Sequence, residues 1–311
     1  MSTSTDVIFT AGMPTGDAVR VIRRRFSGGE GPRVAVVAGI RGDTPEGVRV
    51  AHAVAAVLDQ CHDALTGTVD VYPCVNPLAA HLGVRRWPFF NQDLNRRFPG
   101  RQDGHAPDRL AHELIRSLQG VEQVIELRGA HPAFAEAAQA HVRAGDEKAA
   151  DLARNANVNV VWARRPGPAA PSTFAWQFAG TIALEGGTGN RLTAGVGQAL
   201  AEGVLNMLNV LGVLPDEHLP FHWAAVTRPR IVTDAQVHRV RASKGGLFLP
   251  RHRPWDPIAL DQLVGEIIAP ESGEVVEAIV APYAGRLLAV REQPVALPGT
   301  MVARVVEGLD D

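Results

Sequence analysis

The side chains of this 311-residue chain that could do chemistry are one carboxylate and a scatter of arginines beside short apolar runs. Glu185 closes the run 181–185. A carboxylate in so apolar a setting is costly unless it is charge-paired or put to use as a proton acceptor. Arg41 follows the run 34–38 and Arg128 follows 123–127, which places both where open sheets collect ligands, at the ends of strands. The competing reading is two solvated loop arginines paired with Asp43, Glu46 or Glu126. Only Lys148 and Lys244 supply ammonium groups, so arginine carries nearly all the positive charge and each single arginine is weak evidence. Thr44, Pro45 and Glu46 read as an N-cap, a first-turn proline and an acidic second position that start a helix. Cys74 has no adjacent histidine or basic cluster and reads as a buried thiol, and His52 and His62 fall within a helix. Among the five tryptophans, Trp87, between Arg86 and Pro88, is the one expected on a pocket wall. The other four, Trp162, Trp176, Trp223 and Trp255, read as core.

The elements that must position these residues follow from periodicity. Apolar runs at 34–38, 69–72, 123–127, 158–162 and 181–185 predict strands, and 48–65, 107–118, 146–156 and 195–211 predict helices. The alternation predicts an α/β fold with a mostly parallel sheet flanked by helices over residues 1–215. From about Phe221 the helical period gives way to apolar pairs between Gly and Pro, which predicts a small all-β domain over 221–306. Its hairpin spacing resembles barrel-sandwich carrier domains. With no lysine beyond Lys244, a swinging arm is excluded and a lid, wall or assembly surface is left.

Six segments carry a family resemblance. Gly39-Ile40-Arg41-Gly42-Asp43-Thr44-Pro45-Glu46-Gly47 follows a strand and opens a helix. Asn76-Pro77-Leu78-Ala79, Arg85-Arg86-Trp87-Pro88, Asp93-Leu94-Asn95-Arg96-Arg97-Phe98-Pro99-Gly100, Glu126-Leu127-Arg128-Gly129 and Leu184-Glu185-Gly186-Gly187 follow in order. Together they resemble the succinylglutamate desuccinylase/aspartoacylase family of zinc-carboxypeptidase-like deacylases, over nearly the whole chain. The resemblance implies that Asn95 and Arg96, with Asp93 and Arg86, bind a substrate carboxylate through charge-assisted hydrogen bonds, and that Glu185 is the general base. It also implies that the three zinc ligands fall on Arg41, Thr44 and Arg128. Arginine has no acceptor and keeps its proton, and a threonine hydroxyl is a poor ligand, so no metal and no other cofactor is expected.

Arg41, Arg96, Arg128 and Glu185 are accordingly expected to meet at the carboxyl edge of the sheet, with Glu185 the only carboxylate among guanidiniums. Such a pocket suits a ligand with two carboxylates, or a phosphate. Two functions remain open. One is a metal-independent enzyme acting on the amide or C–N bond of a carboxylate-bearing N-acyl amino acid by hydrolysis, elimination or acyl transfer, with Glu185, Arg128 and Arg41 as catalytic groups. The other is a non-catalytic relative that binds a small anion or a partner protein. The formal charge of −2, without long runs of one sign, argues against nucleic acid and membrane surfaces as partners. Two cysteines and the absence of a long apolar run predict a soluble cytoplasmic protein, with self-association left open.

Overall fold

The computed structural model describes residues 2–219 and 229–309. The boundary anticipated at Phe221, and Trp223, lie outside the described residues. In chain order the first part comprises β1 (Ser2–Gly12), β2 (Ala18–Ser27), β3 (Arg33–Ala38), α1 (Pro45–Gln60), β4 (Thr68–Tyr72), α2 (Pro77–Leu82), α3 (Ala106–Ser117), β5 (Gln123–Leu127), β6 (Phe134–Arg143), α4 (Glu147–Ala153), β7 (Val160–Arg164), β8 (Ile182–Thr188) and α5 (Ala194–Val210). The remainder carries β9 (Arg230–Thr233), β10 (Val237–Arg241), β11 (Gly246–Pro250), β12 (Pro257–Ile258), β13 (Leu263–Ile268), β14 (Val275–Val280), β15 (Gly285–Arg291), β16 (Val295–Ala296) and β17 (Met301–Glu307). No helix among the described residues is long and apolar enough to cross a membrane.

The large sheet is mixed, which corrects the expectation of a mostly parallel one. Its path runs β1-β2-β4-β3-β5-β8-β6-β15-β17-β10. The block β4-β3-β5-β8 is parallel, β7 adds parallel to β6, and β9 adds parallel to β7. The joins β1 to β2, β2 to β4, β8 to β6, β6 to β15, β15 to β17 and β17 to β10 are antiparallel. Periodicity misses β1, β2 and β6, all of which have antiparallel partners. β2 carries four arginines, and β6 reads Phe-Ala-Glu-Ala-Ala-Gln-Ala-His-Val-Arg, whose alanines favour helix on propensity alone. β6 is strand because it lies buried between β8, β15 and β7, where only a strand satisfies its backbone.

The parallel block is covered on both faces, so its strands are apolar throughout. Alternate residues of β3 show the division: Val34, Val36 and Ala38 join the core beneath α1 and α5, while Ala35 and Val37 join the core beneath α3. The strands after Arg230 divide between two sheets. β11, β13, β14 and β16 form a separate four-stranded sheet, whereas β15, β17 and β10 continue the large one.

The glycines of the segment after β3 set where that loop lies. Gly39 turns the chain at φ +66°, and a Cβ there would come within 2.9 Å of the Cys74 Cα. At Gly42 a Cβ would come within 2.0 Å of the Ala79 carbonyl carbon, so the loop carrying Arg41 lies directly on α2. Gly42→Ala must push these backbones apart. It is expected to destabilise the fold by roughly 1–3 kcal/mol, read as a lowered denaturation midpoint, with displacement of Arg41.

Candidate functional site

Arg41, Asn95, Arg96, Arg128 and Glu185 line one cleft of about 480 Å³. Arg41 and Arg128 enter from the loops that follow β3 and β5, as strand-end logic requires. Glu185 lies within β8, which runs on to Thr188, rather than ending its strand. Three other predicted residues are placed elsewhere. Trp87 is 2% exposed and packs in the core with Tyr72, Leu94 and Phe98 instead of forming the cleft wall. Arg86 borders a separate surface hollow with Leu82 and Val84, and it is Arg85 that lines the cleft. Asp93 stands behind the wall, accepting from Arg85 at 2.8 Å and from the Asn95 backbone N–H at 3.0 Å. It positions its neighbours without facing the cleft.

Each guanidinium on this side has an internal partner. Arg41 donates through Nε and Nη2 to both oxygens of buried Asp43, at 3.0 and 2.9 Å. Arg128 donates to Glu126 at 2.6 Å and lies 3.7 Å from Glu185. Arg96 donates to the Asn95 carbonyl at 2.8 Å. Asn95 is itself buried and accepts from the Phe174 N–H at 2.9 Å, which ties the 170s loop to the cleft. Thr44 occupies the N-cap position of α1, but its hydroxyl donates back to the Arg41 carbonyl at 2.9 Å and accepts nothing from the first helical turn. No three His, Cys, Asp or Glu side chains among the described residues are grouped so as to hold a metal ion.

The cleft is also lined by residues that the sequence reading missed: Glu136, His141 and Arg143 from β6, Arg164 from β7 and Arg304 from β17. Arg164 had a usable signal, since it follows a recognised apolar run. For β6 no such signal existed. Its bulge matters too, because Glu136 and Gln139 are three apart and would point to opposite faces of a regular strand. The register against β8 shifts between them, and the two side chains meet at 3.5 Å. Arg304 reaches the site along a row of paired residues. It is registered against Ala289, which is registered against Glu136, and the small Ala289 side chain lets Arg304 come within 3.8 Å of Glu136.

Glu185 therefore has a second carboxylate in its cleft, contrary to expectation, and the two are driven apart. Burial alone would raise the Glu185 carboxyl, but His141, Arg128, Arg304 and Arg164 outweigh it and hold the group down at about 2. Burial, reinforced by the charge on Glu185, pushes Glu136 up to about 8 against the pull of Arg304 and Arg41. Burial also holds His141 at about 3, so its imidazole is neutral at pH 7. Its Nδ1 faces the Arg164 donor at 3.4 Å, which assigns the proton to Nε2, 3.2 Å from Glu185 and 3.1 Å from Gln139. At neutral pH the charge that holds Glu185 ionised thus comes from the arginines.

Glu136 yields a pH prediction. Its folded value of about 8 lies above its ordinary 4.5, so the fold keeps a proton that the unfolded chain has released. Stability is therefore lost as pH rises from about 4.5 to about 8. Glu136→Gln should remove most of that loss. Thermal midpoints of variant and parent should agree near pH 5 and separate in the variant's favour by pH 8.

The sequence profile of the succinylglutamate desuccinylase/aspartoacylase catalytic domain matches residues 30–211. An N-alpha-acetyl-L-2,4-diaminobutyric acid deacetylase from Halomonas elongata is 31% identical over 107 residues, a stretch covering 34% of this chain and only 30% of that relative. The fold is shared with a succinylglutamate desuccinylase/aspartoacylase from Rhodobacter sphaeroides, at a TM-score of 0.83 and 22% identity, covering 99% of this chain and 96% of the other. It is also shared with the product-bound ectoine utilization protein EutE (DoeB) from Ruegeria pomeroyi, at 0.82 and 19%, covering 98% and 95%. A profile match over more than half the chain, on an α/β scaffold with its cleft at the strand ends, makes this protein a member of the succinylglutamate desuccinylase/aspartoacylase family.

Proposed function

We propose that the chain binds a small carboxylate-bearing molecule of the N-acyl amino acid type in its arginine-lined cleft, with no zinc ion in the site. The donor set carries this reading. Arg41, Thr44 and Arg128 stand at the positions that resemble the family's zinc ligands. A guanidinium has no lone pair to give and cannot be deprotonated there. The Thr44 hydroxyl is engaged by the Arg41 carbonyl, and the nearest carboxylates, Asp43 and Glu126, are held by the two guanidiniums. These residues do not fit zinc. The ligand class is supported by the family and by the acetyl-amino-acid deacetylase among the relatives. Asn95 and Arg96 would hold the carboxylate, Arg41 and Arg128 would donate to the acyl oxygen, and Glu185 would accept from the amide N–H.

Binding is favoured over amide hydrolysis by magnitude. A general base supplies about 10²–10⁴-fold and oxyanion donors about 10²–10³-fold, together about 10⁴–10⁷-fold, so the ~10⁶-fold that enzymes typically need is met only near the top of both ranges. Glu185, its carboxyl held below the usual range by the surrounding guanidiniums, is a weak base and sits at the low end of the general-base range. One observation favours a catalytic second reading. Glu136 stays protonated and Glu185 ionised at neutral pH, an acid and a base in one cleft, which suits proton transfer at an activated position in an elimination or acyl transfer.

Elemental analysis of the purified protein should find no stoichiometric zinc, and a chelator should leave the thermal shift produced by N-acyl amino acids unchanged. Stoichiometric zinc, or binding abolished by chelation, would overturn the reading. Arg96→Ala should weaken binding by about 2–5 kcal/mol. Glu185→Gln should leave binding nearly intact while abolishing any turnover, and turnover that survives it would refute the catalytic alternative.

A further inference from the structure

His131 lines the cleft, yet neither the motifs that carry the resemblance nor the Glu136 and Glu185 pair accounts for it. It lies on the loop after β5, three residues beyond Arg128, and it is exposed. The backbone of this loop is laced to β8 on either side of Glu185. The Arg128 N–H donates to the Leu184 carbonyl at 2.8 Å, and the Ala130 N–H to the Gly186 carbonyl at 3.0 Å. His131, the next residue, is thereby held beside the strand that carries Glu185.

A tight turn fixes the ring. The His131 carbonyl accepts from the Phe134 N–H at 2.8 Å, and a Cβ on Gly189 would come within 2.3 Å of that carbonyl oxygen, so the loop after β8 packs directly on the turn. The imidazole meets the Phe134 ring edge to face, with centroids 5.7 Å apart. Its Nδ1 accepts from the Ala133 N–H at 3.2 Å. A ring nitrogen that accepts must keep its lone pair, so the proton of the neutral imidazole is assigned to Nε2. A second proton would have to enter at Nδ1, where the Ala133 N–H already points. The surroundings act in the same sense: burial lowers the ring below the ordinary imidazole range, and Arg41, Arg85 and Arg304 add to this against the opposing charge of Asp43.

His131 is therefore an uncharged donor, and its Nε2–H has no hydrogen-bond partner among the described residues. His141, the other histidine in the cleft, differs. Its Nδ1 faces Arg164, and its Nε2 is shared between Glu185 and Gln139. Guanidiniums are charged forks that match carboxylates, whereas a fixed neutral N–H suits an uncharged carbonyl oxygen, which it polarises without adding a charge to the site.

We propose that His131 donates its Nε2–H to the uncharged acyl oxygen of the ligand, and so makes the cleft prefer an acyl group to a plain alkyl chain of the same length. The inference rests on the reading that the cleft takes an N-acyl amino acid. It adds the residue that recognises the acyl group as distinct from the carboxylate.

NMR titration of the full chain at pH 8 with N-acetylglycine, levulinate and pentanoate tests this. The three probes are monoanions of equal chain length, and levulinate differs from pentanoate only in its carbonyl. The parent should bind N-acetylglycine and levulinate about fivefold tighter than pentanoate, the order expected for one neutral hydrogen bond. His131→Asn keeps an oxygen able to accept from the Ala133 N–H but lacks the outer donor. It should erase the preference while leaving pentanoate binding within about twofold of the parent. His131→Gln places an amide N–H near the position of Nε2 and should restore the preference. A preference unchanged in His131→Asn overturns the assignment and spares the cleft; loss to the same degree in both variants assigns the effect to the turn and overturns the donor role. Binding of none of the three probes by the parent overturns the cleft reading and this inference with it. The ¹⁵N shifts of the His131 ring in the parent decide the matter should a variant fail to fold: they should place the proton on Nε2 and the lone pair on Nδ1, and the opposite tautomer overturns the proposal.

Discussion

Glu185 is an ionised carboxylate, 15% exposed, in the middle of a buried strand. It can stay charged there only because guanidiniums from β5, β7 and β17 surround it, and the architecture around the cleft follows from assembling them. Arg128 must leave β5 at its carboxyl end, Arg164 must end β7, and Arg304 must come from a strand nearly 120 residues further along the chain. Low local dielectric strengthens each of these attractions and makes each unpaired charge expensive, so the set is held together as a unit. Burial keeps Glu136 protonated and His141 neutral, reinforced at Glu136 by the negative charge of Glu185 and at His141 by the positive charge of the arginines.

The strands beyond Arg230 thereby acquire a role that differs from a lid laid over a finished domain. β15 pairs with β6, β17 with β15, and the large sheet continues without interruption from the N-terminal hairpin to β10. Arg304 is delivered to the cleft by sheet register, through Ala289, rather than by docking of a loop. Register is a stiff constraint, because a slip of one residue would turn Arg304 to the other face. Trp162 works at the same junction, supporting Arg164 and Arg304 on its ring and anchored by Asp234 from the segment after β9.

The frame around the cleft is set by close backbone contacts and local caps. Gly39 and Gly42 place the loop after β3 where backbone meets backbone, Asn76 caps α2, and Asn95 fixes the 170s loop through the Phe174 N–H. These features govern how closely chain segments approach and do not depend on a metal. Arg41 and Arg128 enter that frame with Asp43 and Glu126 as partners two residues away in the chain, so each brings most of its own compensation with it.

The sequence by itself determined the features whose cause is local. The parallel strands are legible because burial on both faces demands unbroken apolar runs, and the helices because one-sided burial imposes a period near 3.6. Arg41, Asn95, Arg96, Arg128 and Glu185 are legible because they sit at strand ends or in a motif of fixed spacing. Tertiary structure alone decided what depends on partners distant in sequence. β6 is alanine-rich and becomes strand only through its neighbours; Trp87 turns inward to fill the core between Tyr72 and Leu94; Arg85 rather than Arg86 faces the cleft because Asp93 holds it there. The charge balance of the site belongs to the same class. Glu136, His141, Arg143, Arg164 and Arg304 are spread over more than 160 positions, and no short window of sequence reveals that sheet pairing brings them to one wall.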